Sequence, residues 1–139
     1  MNHEDPLEDL YVKTEQVEGE QRKLLADIIR PFARMDPEQG NVYFTQVNNL
    51  KPKLKVLLYL LCRLALASRP NPTFAAEVSP KEIEKATRIP GGTVRPKLLE
   101  LHQEHFIQKS GEGYFVSPHD LPRIYGEFEE YMPHSSDEK

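Results

Sequence analysis

The apolar run VLLYLLCRLALA, residues 56–67, constrains the fold more than any other stretch of this sequence. Its twelve residues, interrupted by Arg63, are too short to cross a bilayer, which needs about 20 apolar residues. We therefore predict a buried helix over about 50–68. Asn48 or Asn49 is the expected N-cap, and Pro52 is tolerated in the first turn.

Apolar side chains cover most of the circumference of this helix, so neighbouring elements must pack on several of its sides. A chain of 139 residues is small for that task, and we expect a second copy to supply part of the cover. The predicted homodimer contacts are Leu60, Leu64, Tyr125, Phe128 and Tyr131.

Composition limits the classes of function and the cellular compartment. The net charge of −4 and the pI near 5.7 argue against a general polyanion binder, because nonspecific nucleic-acid affinity comes mainly from phosphate neutralisation. The single Cys62 excludes an internal disulfide and a multi-cysteine metal site, which favours a reducing cytosol. The acidic N-terminus lacks the order of a secretory signal, so we expect a cytoplasmic protein.

The flanking segments divide the chain further. Residues 1–19 are predicted to be an acidic disordered tail that docks on a basic partner or shields a basic face. Residues 20–49 should form a helix that stops at Pro31, followed by a β-hairpin over FARMDPEQGNVYF. An amphipathic helix over 118–133, with Asp120 as a possible cap, precedes a polar tail over 134–139.

The strongest local signal is VSPKEIEKAT, residues 78–87. Ser79 is placed as an N-cap, Pro80 as the first helical residue and Glu82 as the partner that completes a capping box. Val78 and Ile83 have the spacing of a hydrophobic staple. A short turn then leads to a second helix that ends near residue 105, and FIQKSGEGYFV predicts two strands around a turn.

This order of elements over residues 50–117 resembles the winged helix-turn-helix superfamily. The matching buried positions are Ile83, Ile89, Val94, Leu98 and Leu101, and Phe106 with Ile107 opens the wing. The resemblance implies a mainly α fold with a small β-wing, to which this chain adds an N-terminal helix and hairpin and a C-terminal helix. In DNA-binding members of the superfamily the second helix lies in the major groove and the wing touches the backbone.

Two positions depart from the common pattern, and Pro96 bears on where the second helix begins. Many relatives have a small residue at the position of Glu84 and glycine at that of Arg88, so Arg88 must adopt a left-handed backbone or a different turn. Pro96 is unfavourable inside a helix. We therefore expect the second helix to start late, with Thr93 as N-cap and Gly91 and Gly92 in a lengthened turn.

The resemblance implies a sequence-specific duplex-DNA regulator that acts as a homodimer. The opposing features are a net charge of only +1 over residues 78–117, counted from six cations and five acids, and the outward positions of Leu99, Glu100 and Glu104. They favour the alternative of a protein-interaction or assembly module. Lys51, Lys53 and Lys55 form a second basic cluster that could contact phosphates. The predicted DNA-binding residues are Lys81, Arg88, Thr93, Arg95, Lys97, Gln103 and Lys109.

The sequence gives little support for a metal site or a catalytic site. His102 and His105 have the spacing of a metal-ligand pair but lack a third ligand nearby in sequence, so we interpret them as histidines at the edge of the core. Cys62 is interpreted as a small buried hydrophobe. Phosphate loops, paired catalytic carboxylates and nucleophile elbows are absent from the sequence. We expect neither enzymatic activity nor a cofactor.

Overall fold

A computed structural model describes residues 14–69 and 72–133 and the side chains from residue 19 onward within those ranges. The predicted disordered segment over 1–13 and the tail over 134–139 lie outside them. The described elements run in the order α1 (Thr14–Ile29), β1 (Ala33–Met35), β2 (Val42–Phe44), α2 (Pro52–Ala67), α3 (Pro80–Thr87), α4 (Gly91–Gln103), β3 (Gln108–Ser110), β4 (Gly113–Phe115) and α5 (Leu121–Phe128). The mainly α fold class with small β-hairpins is confirmed.

Helix α2 lies at the centre and packs against α1, α3, α4, β1 and β4. Its own chain covers it: Leu60 has 0% of its surface exposed, and so does Phe128 of α5. The expectation that these two side chains contact a second copy is therefore wrong. Leu64, Tyr125 and Tyr131 are partly buried and pack against the same core, and their role in a dimer stays a prediction.

Helix α1 begins at Thr14, six residues before its predicted start at residue 20. Residues 14–19 were assigned to the acidic tail, and that part of the assignment is wrong. The backbone of these residues forms the first turns of α1. The helix ends at Ile29, as predicted from Pro31.

The first hairpin forms as predicted, with β1 and β2 antiparallel and Arg34 opposite Tyr43. Its turn depends on Asp36, whose Oδ1 accepts hydrogen bonds from the backbone N–H of Glu38 at 3.0 Å and of Gln39 at 3.3 Å. Gly40 then adopts a φ of +77° and lies directly against the ring of Phe74. Both the backbone angle and the close approach require glycine.

The N-terminus of α2 differs from the prediction. The N-cap is Lys51, which makes no side-chain capping bond, and Pro52 is the first helical residue. Asn48 and Asn49 were the expected caps. They instead lie in a turn closed by the backbone bond from Leu50 N–H to Val47 O at 3.0 Å, which places them before the helix.

Helix α3 has half of its predicted capping box. The Oγ of Ser79 accepts a bond from the backbone N–H of Glu82 at 3.2 Å, and Val78 and Ile83 are both buried, as a hydrophobic staple requires. The carboxylate of Glu82 turns instead to α2, where it accepts a 2.7 Å hydrogen bond from Arg63. A tertiary contact therefore replaces the second, local half of the motif.

Arg63 links three parts of the chain from inside α2, with only 7% of its surface exposed. Its Nε donates to the carbonyl of Ala75 at 3.1 Å, and its Nη1 donates to Tyr59 Oη at 3.2 Å as well as to Glu82. The guanidinium also lies 5.9 Å from the centroid of the Phe74 ring. Burial by itself lowers the pKa of Arg63, but the bonds to Tyr59 and Glu82 raise it above its ordinary value.

Helix α5 is shorter than the predicted helix over 118–133. It covers Leu121–Phe128 and is flanked by 3₁₀ turns at Pro118–Asp120 and Glu129–Tyr131. Asp120 makes no side-chain cap bond to α5. Phe128 packs against Phe32 with ring centroids 5.7 Å apart, so α5 closes onto the end of α1.

Cys62 is buried in α2, as its place in the apolar run predicted. Burial raises the pKa of its thiol to about 12. The thiol therefore stays protonated at neutral pH and packs as a small hydrophobe.

We predict that Arg63→Leu lowers the free energy of unfolding by about 1–3 kcal/mol, because the Ala75 carbonyl and Tyr59 hydroxyl lose a buried partner. Glu82→Gln should cost less than about 1 kcal/mol, since the amide can still accept the bond and Glu82 is half exposed to water. Urea denaturation followed by circular dichroism measures both. Equal stability of Arg63→Leu and the natural chain would contradict the linking role.

Candidate nucleic-acid interface

The candidate surface is built around α4, which begins at Gly91 with Pro90 as N-cap. The carbonyl of Pro90 accepts bonds from the N–H groups of Thr93 and Val94, each at 2.9 Å. The predicted late start with Thr93 as N-cap is therefore wrong. Gly91 and Gly92 have ordinary negative φ angles within the first turn and do not lengthen the connection.

Pro96 lies inside α4. It cannot donate the hydrogen bond that the carbonyl of Gly92 would accept in a regular helix. Both Pro96 and Gly92 are exposed, so water can reach the carbonyl that loses its partner. The helix therefore tolerates the proline on its solvent side.

We predict that Pro96→Ala raises the free energy of unfolding by about 1–2 kcal/mol, because it restores one backbone bond and removes the unfavourable helix propensity of proline. The greater chain freedom of the unfolded alanine variant offsets part of this gain. Pro80→Ala is the matched control, since Pro80 occupies the first turn of α3, where proline needs no partner. Denaturant titration of the two variants compares them, and a destabilised Pro96→Ala would contradict the prediction.

The two faces of α4 separate as the spacing predicted. Val94, Leu98 and Leu101 are buried. The opposite face is exposed, and Leu99 on it leaves 53% of its surface open to solvent. The exposed residues of α4 are Gly92, Arg95, Pro96, Leu99, His102 and Gln103.

The connection between α3 and α4 places a cation beside the start of α4. Of the two arrangements that the sequence allowed, Arg88 has the left-handed backbone, with φ 61° and ψ 24°, and its N–H donates to the carbonyl of Glu84 at 2.8 Å. A left-handed backbone costs a residue with a Cβ about 1–2 kcal/mol. The side chain of Arg88 is exposed.

A shallow depression next to this turn, which we call the α3 groove, has a volume of about 550 Å³. Lys81 and Arg88 line it, as does Lys85, which the sequence-based list of DNA-binding residues omitted. The spacing of Lys81 and Lys85, four residues apart on one helix, was the available signal. The full lining is Lys81, Glu84, Lys85, Arg88, Ile89 and Pro90.

Ion pairs balance much of the charge on α4. Arg95 lies 3.3 Å from a carboxylate oxygen of Glu84, and Lys97 lies 3.3 Å from one of Glu100. Exposed pairs of this kind contribute about 1 kcal/mol or less. Arg95, with 60% of its side chain exposed, can therefore exchange its carboxylate for another anion at little cost.

The acids at the C-terminal end of α4 pair with a lysine that the sequence placed in a possible phosphate-binding cluster. Lys53 of α2 lies 2.6 Å from Glu104 and 3.8 Å from Glu100. Lys53 was grouped with Lys51 and Lys55 as a possible phosphate-binding cluster. Its two ion pairs instead show that it offsets the negative charge on α4.

The second hairpin follows α4 and carries Lys109 opposite Tyr114. The Lys109 ammonium lies 5.7 Å from the centroid of the Tyr114 ring. Backbone bonds of 3.0 Å and 2.8 Å between Val78 and Tyr114 tie the hairpin to the start of α3. The hairpin is thus held in a defined position relative to α3 and α4.

Arg123 of α5 holds the end of α4 in place. Its guanidinium donates 2.9 Å bonds to the backbone carbonyls of Glu104 and His105 and lies 4.4 Å from the centroid of the Phe106 ring. These carbonyls lie where helix geometry leaves acceptors unpaired. The C-terminal helix therefore fixes the position of α4 and the second hairpin.

The structure divides the predicted DNA-binding residues into two groups. Lys81 and Arg88 line the groove at the start of α4, and Arg95 pairs with Glu84 of that same groove. Gln103 and Lys109 share a second depression of about 510 Å³ at the end of α4. Thr93 and Lys97 are half-buried and contribute less surface.

The exposure of two histidines, one in α4 and one just after it, differs from the interpretation made from the sequence. His102 and His105 are exposed rather than at the edge of the core. His102 makes an edge-on contact with Tyr114, with centroids 6.3 Å apart. Residues 14–69 and 72–133 contain no group of three potential metal ligands.

Comparison of the chain with protein-family models, with curated proteins and with solved structures finds no match. Within the ranges that the structure describes, no helix combines the length and apolar character needed to cross a membrane.

Proposed function

We propose that residues 50–117 form a winged helix-turn-helix module that binds double-stranded DNA in a sequence-specific manner, with α4 as the recognition helix and the β3–β4 hairpin as the wing. The observation that carries this proposal is the arrangement of charge around the exposed face of α4. Cations lie at both ends of that face, in the α3 groove and at Lys109. Such an arrangement suits a helix that is anchored to the phosphates on either side of the bases it contacts.

The residues take different roles in this proposal. Lys81, Lys85 and Arg88 contact phosphates beside the start of α4. Arg95 and Gln103 reach base edges, because arginine pairs with guanine and glutamine with adenine. Leu99 supplies an apolar contact to a thymine methyl group.

The ion pairs on α4 are compatible with this role. A guanine edge displaces Glu84 from Arg95, and the exposed pair is too weak to prevent the exchange. Lys53 keeps the charges of Glu100 and Glu104 partly neutralised. Because few cations take part, affinity should fall less steeply with salt than for a strongly basic protein.

The proposal includes a homodimeric regulator, with Leu64, Tyr125 and Tyr131 as the remaining candidate contacts between copies. Two copies would place their α4 helices on half-sites about one helical turn apart. The stoichiometry of a duplex titration measures whether the chain binds as a dimer, since a dimer places two chains on each palindromic site.

Arg88→Gly tests the proposal with two readouts of opposite sign. The free energy of unfolding should rise by about 0.5–1 kcal/mol, because glycine adopts the left-handed backbone without strain, and its greater freedom in the unfolded chain offsets part of that gain. Affinity for a duplex selected from a random library should fall, and the salt slope should shrink by about one unit per lost phosphate contact. Lys23→Gln, which removes an exposed cation of α1, is the matched control and should leave duplex affinity unchanged.

Two results would contradict the proposal: the first would exclude duplex binding, and the second would remove Arg88 from the interface. One is a full-length chain that binds none of the library at low salt. The other is an Arg88→Gly variant that gains stability and keeps its full affinity, since the lost charge would then have no role in binding.

A second candidate function is favoured by the exposure of Leu99 beside Pro96. An apolar centre ringed by ion pairs resembles a protein-interaction surface, and α4 would then dock on another protein. Leu99→Gln removes the apolar contact without adding a charge. Under this function, affinity for a co-purifying partner should fall about tenfold or more, while Arg88→Gly leaves it unchanged; isothermal titration with the isolated partner measures both. Partner affinity unaffected by Leu99→Gln would rule this surface out.

A further inference from the structure

A second basic surface lies away from α4, between α1, β1 and the end of α2. We call it the α1 groove; it has a volume of about 650 Å³. Four cations stand around it: Arg22, Lys23, Arg30 and Arg34. Its floor is apolar and consists mainly of Leu25, Ala26, Ile29, Met35 and Ala65.

The rim of the α1 groove carries an excess of positive charge. Among the described side chains, Asp27 is the acid that pairs with a rim residue, at 3.2 Å from Arg30. Within the part of the chain whose side chains are described, Arg22 contacts uncharged groups: it donates to Ser68 O at 3.0 Å and to Ser68 Oγ at 2.8 Å. Carbonyl and hydroxyl oxygens orient the guanidinium but leave its charge available to an anion.

Arg34 is oriented in the same way. Its Nη1 donates to the carbonyls of Arg30 at 2.6 Å and Ala33 at 2.8 Å. Two of the four cations are therefore held in place by backbone or hydroxyl contacts before any partner arrives. Holding a side chain in its bound position reduces the entropy lost on binding.

The apolar floor continues past Arg22. A smaller depression of about 280 Å³ shares Arg22, Leu25 and Ser68 with the α1 groove and extends to Leu64 and Leu121. The combined surface runs along α1 toward α5. It combines cations with aliphatic side chains that continue from Leu25 to Leu121.

We propose that the α1 groove binds an acidic amphipathic segment of a partner protein. Aliphatic side chains of the segment would pack on the floor, while its carboxylates pair with Arg22, Lys23 and Arg34. This matches the helix-in-groove mode of peptide recognition, in which spaced apolar anchors fill a hydrophobic groove.

Charge and shape favour an acidic polypeptide over nucleic acid or a small ligand as the occupant of the α1 groove. Nucleic acid supplies phosphates but has no row of aliphatic groups for the floor around Ile29 and Met35. A small ligand with one carboxylate cannot reach cations that extend from Arg22 to Arg30, about 12 Å along the chain at the helical rise. A polypeptide with several acids meets both requirements.

This inference does not depend on duplex binding, because none of the α1 groove residues belongs to α3, α4 or the second hairpin. The probe is a short synthetic peptide with leucines on one helical face and glutamates on its flanks, titrated into the full chain and followed by fluorescence anisotropy. A peptide with glutamine in place of glutamate tests the need for charge.

The expected result is saturable binding of the glutamate peptide. Arg22→Glu combined with Arg34→Glu should weaken it by about tenfold or more. Asp27→Asn should tighten it several-fold, because that change removes the carboxylate that pairs with Arg30. Lys51→Glu, an exposed cation outside the groove, is the matched control, and the circular dichroism spectrum of every variant confirms folding.

Four results would overturn the inference. The first is absence of binding by the glutamate peptide, and the second is equal binding of the glutamine peptide. The third is loss of duplex affinity in the Arg22/Arg34 variant, which would assign the groove to nucleic acid. The fourth is peptide binding only after Glu4, Asp5, Glu8 and Asp9 are changed to their amides, which would make the chain's own N-terminal segment the occupant.

Discussion

The hydrogen bonds of Arg63 join α3 and the loop before it to α2, the central helix of the fold. A charged residue in the middle of an apolar helix is costly to bury unless its donors are satisfied. Here it donates to Glu82 of α3, to Tyr59 of its own helix and to the carbonyl of Ala75 in the loop between α2 and α3. Because α4 packs on both α2 and α3, the position of the exposed α4 face follows from this set of contacts.

A second feature of the fold is the way in which the apolar surface of α2 is covered. Its nearly uniform apolar surface could be covered by another subunit or by its own chain, and a sequence pattern does not distinguish these. The added N-terminal helix and first hairpin share the cover with α3, α4 and β4, and the added C-terminal helix packs on α1. They also form the α1 groove and, through Arg123, hold the end of α4. The additions to the central unit therefore have both a structural and a potential binding role.

Charge balance explains why the function of α4 could not be inferred from a count of cations. Acids on α4 are paired with Lys53 from a different helix, while Lys81, Lys85 and Arg88 face a common groove. The net charge of +1 over residues 78–117 thus hides one balanced and one basic region. Only their spatial separation supports a DNA-binding proposal for a protein whose total charge is −4.

The sequence alone determined the features that depend on neighbours in the chain. These include the Ser79 cap, the stop before Pro31, both hairpins and the inward face of α4, because turn chemistry and side-chain period act over a few residues. Tertiary structure decided where α4 begins: the carbonyl of Pro90 starts the helix, and the bond lost at Pro96 faces water. It also decided that Glu82 pairs with Arg63 rather than completing its local motif, and that Leu60 and Phe128 lie inside one chain. The Glu82 pair and the burial of Leu60 and Phe128 depend on residues that are distant in the chain, so a local pattern could not distinguish among the alternatives. The early start of α4 depends on Gly92 and Pro96 facing solvent, which only the packing of the helix decides.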